Sequence, residues 1–268
     1  MNRPGKPLGA LLLAIALSLT TSGSLFAGGL FDPDFVPGNF PDPPNIDNPY
    51  WPLVPGTVFL YFAEAEDGCE WNIVDVTYET KDIEGVKTVV VFDIEWLDES
   101  EECDEVTYTV ADYLAGNDGP GETMEFTYDW YAQDDDGNIW YLGEDTYSTD
   151  WDPEDCDVVD GDYCKDGSVE AGVNDAEAGI VMMANPTKGT RYQQEYDEGN
   201  AEDWGKVLNF IKIDDVECLK TKEWTPLERG AIEHKYYCPE DGLLLIEGVS
   251  GGPKVWTELV DTATYTVD

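Results

Sequence analysis

Basic side chains are scarce in this 268-residue sequence: 14 Lys and Arg and one His stand against 58 Asp and Glu, a formal net charge of −44. A surface of that sign repels phosphate, so no nucleic-acid partner is expected and anionic membranes are poor partners. Long apolar runs are also missing. The stretch from Leu8 to Leu19 is shorter than the roughly 20 residues a membrane span needs, so no transmembrane segment is expected in the mature chain. There is no C-x-x-C pair, which disfavours a thioredoxin-like redox site or a zinc ribbon. With a single histidine no His-x-x-x-His metal pair exists, and His234 has no evident nucleophile to serve.

What is present begins with an export signal. Arg3 and Lys6 precede the apolar run, and small and polar residues follow from Thr20 to Gly29. That order reads as a signal peptide over residues 1–27, cut after Ala27, and it sends the mature chain to the periplasm or the extracellular space. No cysteine lies near the cut to carry a lipid anchor. Removing the signal leaves 12 basic against 58 acidic residues, a balance of −46. Salt relieves such self-repulsion, and a salty medium explains the composition more simply than a bound divalent cation such as calcium. Six cysteines, an even number in an exported chain, favour disulfides. Neighbour pairing is expected: Cys69 with Cys103, Cys156 with Cys164, and Cys218 with Cys238.

Residues 28–55 are rich in Pro, Asp and Asn without a hydrophobic period, and read as an extended lead-in. From 56 to 268 the chain turns to β-branched and aromatic runs parted by Gly, Asp, Asn and Pro. Strands are expected near Thr57 to Glu64, Trp71 to Asp82, Val86 to Trp96, Glu105 to Leu114, Thr123 to Gln133 and Asn138 to Tyr147. Later ones fall near Thr190 to Tyr196, Val207 to Ile213, Leu219 to Trp224, Ile232 to Tyr237, Leu243 to Gly248 and Lys254 to Val260. Only Asn200 to Asn209 shows a helical period, and Gly205 counts against it. The fold class is all-β: a single antiparallel barrel, closed or partly closed, with a two-sheet β-sandwich as the alternative.

Three groups of residues carry candidate chemistry. Around Asp134-Asp135-Asp136-Gly137-Asn138, two aromatic strands flank a turn that supplies the positive φ a hairpin needs; its likeness to a calcium loop fails at the glycine position and the closing Glu. The loop from Asp150 to Asp166 gathers eight carboxylates around Cys156 and Cys164. Asp152, Asp155, Asp157, Asp160 and Asp162 are its candidate calcium ligands, against the plainer reading of a solvated acidic loop. Third, eight of the 12 mature basic residues lie between Lys188 and Lys235. Strand parity groups Arg191 with Gln193 and Glu195, Lys220 with Lys222 and Trp224, and His234 with Tyr236. A pocket of Arg191, Lys222, Trp224 and His234 on the inner face, open to a small polar or anionic ligand, is weighed against ordinary surface ion pairing.

Several strings together resemble a family of uncharacterised bacterial secreted β-rich proteins. They are Asn48-Pro49-Tyr50-Trp51-Pro52-Leu53-Val54-Pro55-Gly56, the Asp129 to Asp145 hairpin, Ala184-Asn185-Pro186, Arg191 to Tyr196, Leu219 to Leu227, and Glu233-His234-Lys235-Tyr236-Tyr237. The likeness runs from Asn48 to about Gly248, and it implies no particular activity. Pro52-Leu53-x-x-Gly56-x-x-x-x-Tyr61 and Tyr236-Tyr237-x-Pro239-x-x-Gly242 are similar to lipoprotein-carrier-like half-barrel envelope proteins, where a small residue stands in place of Cys238. The leading expectation is an exported, non-enzymatic binding or envelope-associated protein. An extracellular hydrolase using His234 or a carboxylate pair is the second reading, and a calcium-bridged structural surface protein the third. A polar cavity favours binding; a filled interior favours the structural role.

Overall fold

The computed structural model describes residues 28–267 apart from 66–67, 100–102, 104–106, 150–155, 157, 161–162, 166 and 251–254. The expected signal peptide lies outside the described residues. The strands are β1 (Thr57–Glu64), β2 (Cys69–Ile83), β3 (Val86–Asp98), β4 (Glu122–Gln133), β5 (Ile139–Ser148), β6 (Val158–Asp160), β7 (Tyr163–Lys165), β8 (Val169–Glu170) and β9 (Glu177–Met182). They continue with β10 (Arg191–Gln193), β11 (Glu195–Tyr196), β12 (Trp204–Ile213), β13 (Val216–Trp224), β14 (Ile232–Cys238), β15 (Gly242–Ser250) and β16 (Trp256–Thr264). One short helix, α1 (Val110–Leu114), interrupts them.

The long strands form one antiparallel sheet in the order β12-β13-β14-β15-β16-β1-β2-β3-β4-β5. It curls into a nearly closed barrel because the short strands bridge its two ends: β5 pairs β9, β9 pairs β11, and β10, one residue before β11, pairs β12. Gly179 permits that closure. A Cβ there would stand 2.4 Å from the backbone of Gln194, so only glycine lets β9 approach so closely.

Both faces of β1 to β3 are apolar, for two different reasons. Phe59, Tyr61 and Val91 face the main core inside the barrel with Tyr192 and Tyr237. Val58, Leu60, Trp71, Ile73 and Trp96 face outward and are covered by Tyr108 and Val110. That cover is the segment carrying α1. The expected strand Glu105 to Leu114 is overturned here: Thr109 caps a helix by accepting from the Asp112 amide while Asp112 reaches back to Thr109, a reciprocal box. The Val110 amide also donates to Asp261 and the Tyr113 hydroxyl to Asp75. The helical expectation for Asn200 to Asn209 fails for the opposite reason. Trp204–Ile213 is drawn into the sheet as β12, where Gly205 leaves room for the Tyr192 ring.

The lead-in is extended but not free. Phe35 and Phe40 pack edge-on against Trp140. Ile46 and Leu53 are fully buried in the main core. Gln133 accepts from the amides of Asp47 and Asn48, and the Asn48 amide group donates to the carbonyls of Gly137 and Met183. Residues 46–53 therefore plug the barrel beside the β4–β5 turn. That turn forms as expected: Asp134 accepts from the Asn138 amide and the Trp140 indole, and Gly137 has φ +90°. All three expected disulfides are formed.

Candidate functional site

Of the four pocket residues expected from the sequence, Trp224 borders the interior cavity, whereas Arg191, Lys222 and His234 do not line it. Lys220, Lys222 and Trp224 share a face of β13, and His234 shares one with Tyr236 on β14, as parity requires. The Cys218–Cys238 bond ties these two sets to the same side. That side is the outside. Leu219, Thr221 and Glu223 form the buried face of β13, whereas on the other face only Cys218, in its disulfide, is buried and Lys220 and Lys222 are half-buried. Outside, Arg191, Lys206 and Lys222 stand in register across β10, β12 and β13, and the Lys222 ammonium lies 5.1 Å from the Trp224 ring centre. The Trp204 and Trp224 rings lie nearly parallel beside them. His234, Lys220 and Tyr236 converge on Glu247. The Tyr236 hydroxyl leads in holding that carboxyl down at about 2, with His234 and Lys220 adding to it. The inner-face expectation is thus corrected: grouping by parity held, but the choice of face did not. One grouping also breaks. Arg191 and Gln193 do not point with Glu195, because the strand is interrupted at Gln194 between β10 and β11.

The opposite parity builds the interior. Lys235 and Tyr237 of β14, Glu223 of β13, Glu195 of β11 and Gln194 beside it line a cavity of about 290 Å³. Trp51 of the plug and Tyr131 and Tyr141 of β4 and β5 wall it; Asp203, Glu233 and Trp224 also line it. A second chamber of about 320 Å³ shares Trp51, Tyr131 and Lys235, and is lined by Asn72, Asp93, Glu95 and Asp129. The aromatic walls are set at angles. Trp51 lies 5.3 Å from Tyr131 at 64° and 5.8 Å from Tyr237 at 52°, and Tyr131 lies 5.0 Å from Tyr141 at 37°.

Electrostatics inside are dominated by carboxyl groups deprived of water. Burial, with Glu95, Glu125 and Glu144 nearby, pushes Asp93 up to about 7 against the opposing amide of Asn72. Burial and then Glu70 and Glu125 do the same to Glu95, also to about 7. Glu195 is pushed up to about 8, by burial first and then by Glu144, Asp203 and Asp197. Asp129 and Glu144 are raised, chiefly by burial. The Tyr141 hydroxyl lies 2.7 Å from Asp129 Oδ1 and 2.6 Å from Glu144 Oε2. One hydroxyl proton cannot serve both contacts, so a carboxyl proton completes this trio. Glu223 alone goes the other way. Burial would raise it, but the Lys235 ammonium 3.0 Å away, with Gln194 and Thr221, brings it below the usual range. The Oε1 atom of Glu195 is buried with no hydrogen-bond partner among the described residues.

The candidate calcium ligands Asp152, Asp155, Asp157 and Asp162 lie outside the described residues, and of Asp160 only the backbone, in β6, is described. No group of three or more His, Cys, Asp or Glu suited to a metal ion is found among the described residues. The string Gly248-Val249-Ser250-Gly251-Gly252 has the spacing of a nucleophile elbow, but that motif needs a strand-turn-helix context. Ser250 ends an antiparallel strand, and the next described element is β16.

No family model matches the chain, and no curated protein does. Among solved structures it is similar to a candidate exported protein with a YmcC-like fold from Bacteroides fragilis. That pair is 12% identical with a TM-score of 0.36, covering 80% of this chain and 99% of the other. It is also similar to a candidate lipoprotein from Parabacteroides distasonis, 11% identical with a TM-score of 0.35, covering 80% and 98%. No helix among the described residues is long and apolar enough to cross a membrane. The three cystines suit an oxidising compartment.

The cavity residues were legible only as candidates of the wrong parity. Glu195 enters the sequence reading as a strand neighbour of Arg191 and Lys235 as one of the clustered basic residues, while nothing in the sequence marks Asp203 or Glu223. An available signal was the aromatic content of the lead-in, with Phe31, Phe35, Phe40, Tyr50 and Trp51 among its Pro and Asp residues, since exposed segments seldom carry such rings without a surface to cover.

Proposed function

We propose that this chain is an exported, envelope-associated binding protein without enzymatic activity, and that its barrel interior is where a small polar ligand is held. The observation that carries this reading is the cavity itself. Its polar and aromatic side chains converge from five strands and the plug, and its size lies at the low end of small-molecule sites. A barrel serving only as a structural element would fill this space with apolar side chains. A hydrolase working through His234 loses support because that ring faces outward to Glu247. Asp129 and Glu144 hydrogen-bond to each other as well as to Tyr141, closer than the about 5 Å or more at which a carboxyl pair flanks a scissile bond.

The test is to recover the protein from the compartment to which it is exported, denature it, and search the released small molecules by mass spectrometry. Ala231, which lines the cavity, is replaced by Trp in a parallel sample. A compound released from the wild type and absent from Ala231→Trp is the expected result. If neither that recovery nor a thermal-shift screen of polar metabolites distinguishes the two proteins, the reading is overturned.

A further inference from the structure

We infer that the ligand of the interior cavity is a small organic cation, a primary amine or a quaternary ammonium compound, seated against Glu195 within the aromatic walls. The inference rests on the binding reading above and adds the chemical class. It starts from the charge of the lining. Four carboxyl groups, Glu195, Asp203, Glu223 and Glu233, face one ammonium group. That ammonium is already engaged, 3.0 Å from Glu223 and 4.0 Å from Glu233. Asp203 shares the field of that same ammonium, and Glu195 is left without a cation among the described residues.

Glu195 is the sharper of the two. Its residue is only 6% exposed, and Oε1 has no donor among the described residues. A buried acceptor without a donor costs free energy, more so when it carries charge. Protonation removes the charge but leaves the acceptor unpaired, whereas a bound N–H donor or ammonium head satisfies both. An anionic ligand would add to the repulsion among these carboxyl groups, which sets aside the anionic class expected from the outward basic residues.

The walls fit the same class. Trp51, Tyr131, Tyr141 and Tyr237 line the cavity with rings tilted to one another, and aromatic rings attract a cation through their π systems. A metal ion fits less well. Calcium takes six to eight oxygen ligands, and no convergent group of even three ligand side chains occurs among the described residues. The space of about 290 Å³ admits an organic head rather than a bare ion.

A pH signature follows from the groups that face Glu195. Glu144 and Tyr141 approach from β5, Asp129 and Tyr131 from β4, Asp203 from the turn before β12, and Asp197 from its own segment. Glu223 and Lys235 stand across the cavity on β13 and β14. Because Glu195 sits at about 8, seating a cation displaces its proton, and affinity rises between pH 6 and pH 8.

The experiment is isothermal titration of the full mature chain with butylamine, putrescine, tetramethylammonium and choline. The comparison ligands are 3,3-dimethylbutan-1-ol, the neutral shape-match of choline, and 3,3-dimethylbutanoate. We expect at least one cation to bind at least about tenfold more tightly than either control, more tightly at pH 8 than at pH 6, and Glu195→Gln to abolish that preference. Glutamine reproduces the protonated side chain, so the variant folds, as circular dichroism will show. If a neutral or anionic compound binds as well as the cations and Ala231→Trp blocks it, the cation class is wrong while the binding reading stands. Equal cation affinity in wild type and Glu195→Gln likewise overturns the assignment to Glu195. Absence of binding by every probe, with no difference between wild type and Ala231→Trp, overturns both.

Discussion

Lys235 and Lys222 show how much one position of parity decides. Lys222 stands on the outer face beside Trp224, where a cation is easily solvated. Lys235 is inside, and its ammonium is what keeps Glu223 charged in a place where the other carboxyl groups are pushed toward protonation. Removing one partner of such a pair strands the other, at a cost of roughly 3 kcal/mol or more. Lys235→Met is therefore expected to destabilise by about 3 kcal/mol in urea titration, and Glu223→Gln added to it to recover part of the loss. Lys222→Met should change stability by less than about 0.5 kcal/mol, as exposed charges generally do. Equal effects of the two lysine substitutions would contradict the assignment of faces.

At the scale of elements, two segments outside the regular strands hold the barrel in shape. The plug at 46–53 places Ile46 and Leu53 in the core and ties Asn48 to the β4–β5 turn. Ile46→Ala should cost about 3 kcal/mol of unfolding free energy, in the range for buried aliphatic truncations; a loss below about 0.5 kcal/mol would show the lead-in to be dispensable. The α1 segment covers Trp71 and Trp96 and is stapled by Cys69–Cys103. Replacing both cysteines with serine should lower stability by about 3 kcal/mol and speed amide exchange selectively over Val110–Leu114. The β4–β5 hairpin was legible because Asp134 and Gly137 fix a turn by local hydrogen bonds. Strand β9 was not, since the run Ala178 to Met182 is too short and unpatterned to be told from a buried loop.

Across the whole molecule the carboxyl groups set the response to pH. Asp93 and Glu95 at about 7 and Glu195 at about 8 lie above their ordinary values of 3.8 and 4.5. Between roughly pH 4.5 and 8 the folded chain therefore holds more protons than the unfolded one, and stability falls as pH rises through that window. The net charge of −44 acts in the same direction, because self-repulsion grows as carboxyl groups ionise. Glu247, held at about 2, works in the opposite sense: its contribution is present above about 4.5 and is lost on acidification toward 2. Thermal unfolding in low salt should accordingly show a maximum near pH 5 and a midpoint several degrees lower at pH 8. Sodium chloride should restore part of the difference by screening the surface share. A midpoint rising steadily from pH 5 to pH 8 would contradict the buried carboxyl assignments.

The sequence by itself determined the all-β class, the acidic balance and the alternation along each strand, and it favoured disulfides with neighbour pairing as the expectation. These follow from composition, from short-range pairing and from the two-residue period of extended chain, all of which are local. Only the tertiary structure decided which face of β13 and β14 turns inward. Alternation fixes which side chains travel together, yet says nothing of where the core is, and here both faces are polar and aromatic: Lys220, Lys222, Trp224, His234 and Tyr236 on one, Glu223, Glu233, Lys235 and Tyr237 on the other. The closure of the barrel through β9, β10 and β11 joins residues distant in sequence. That long-range pairing put Glu195, Glu223 and Lys235 into one cavity and left Arg191, Lys222 and His234 on the outside.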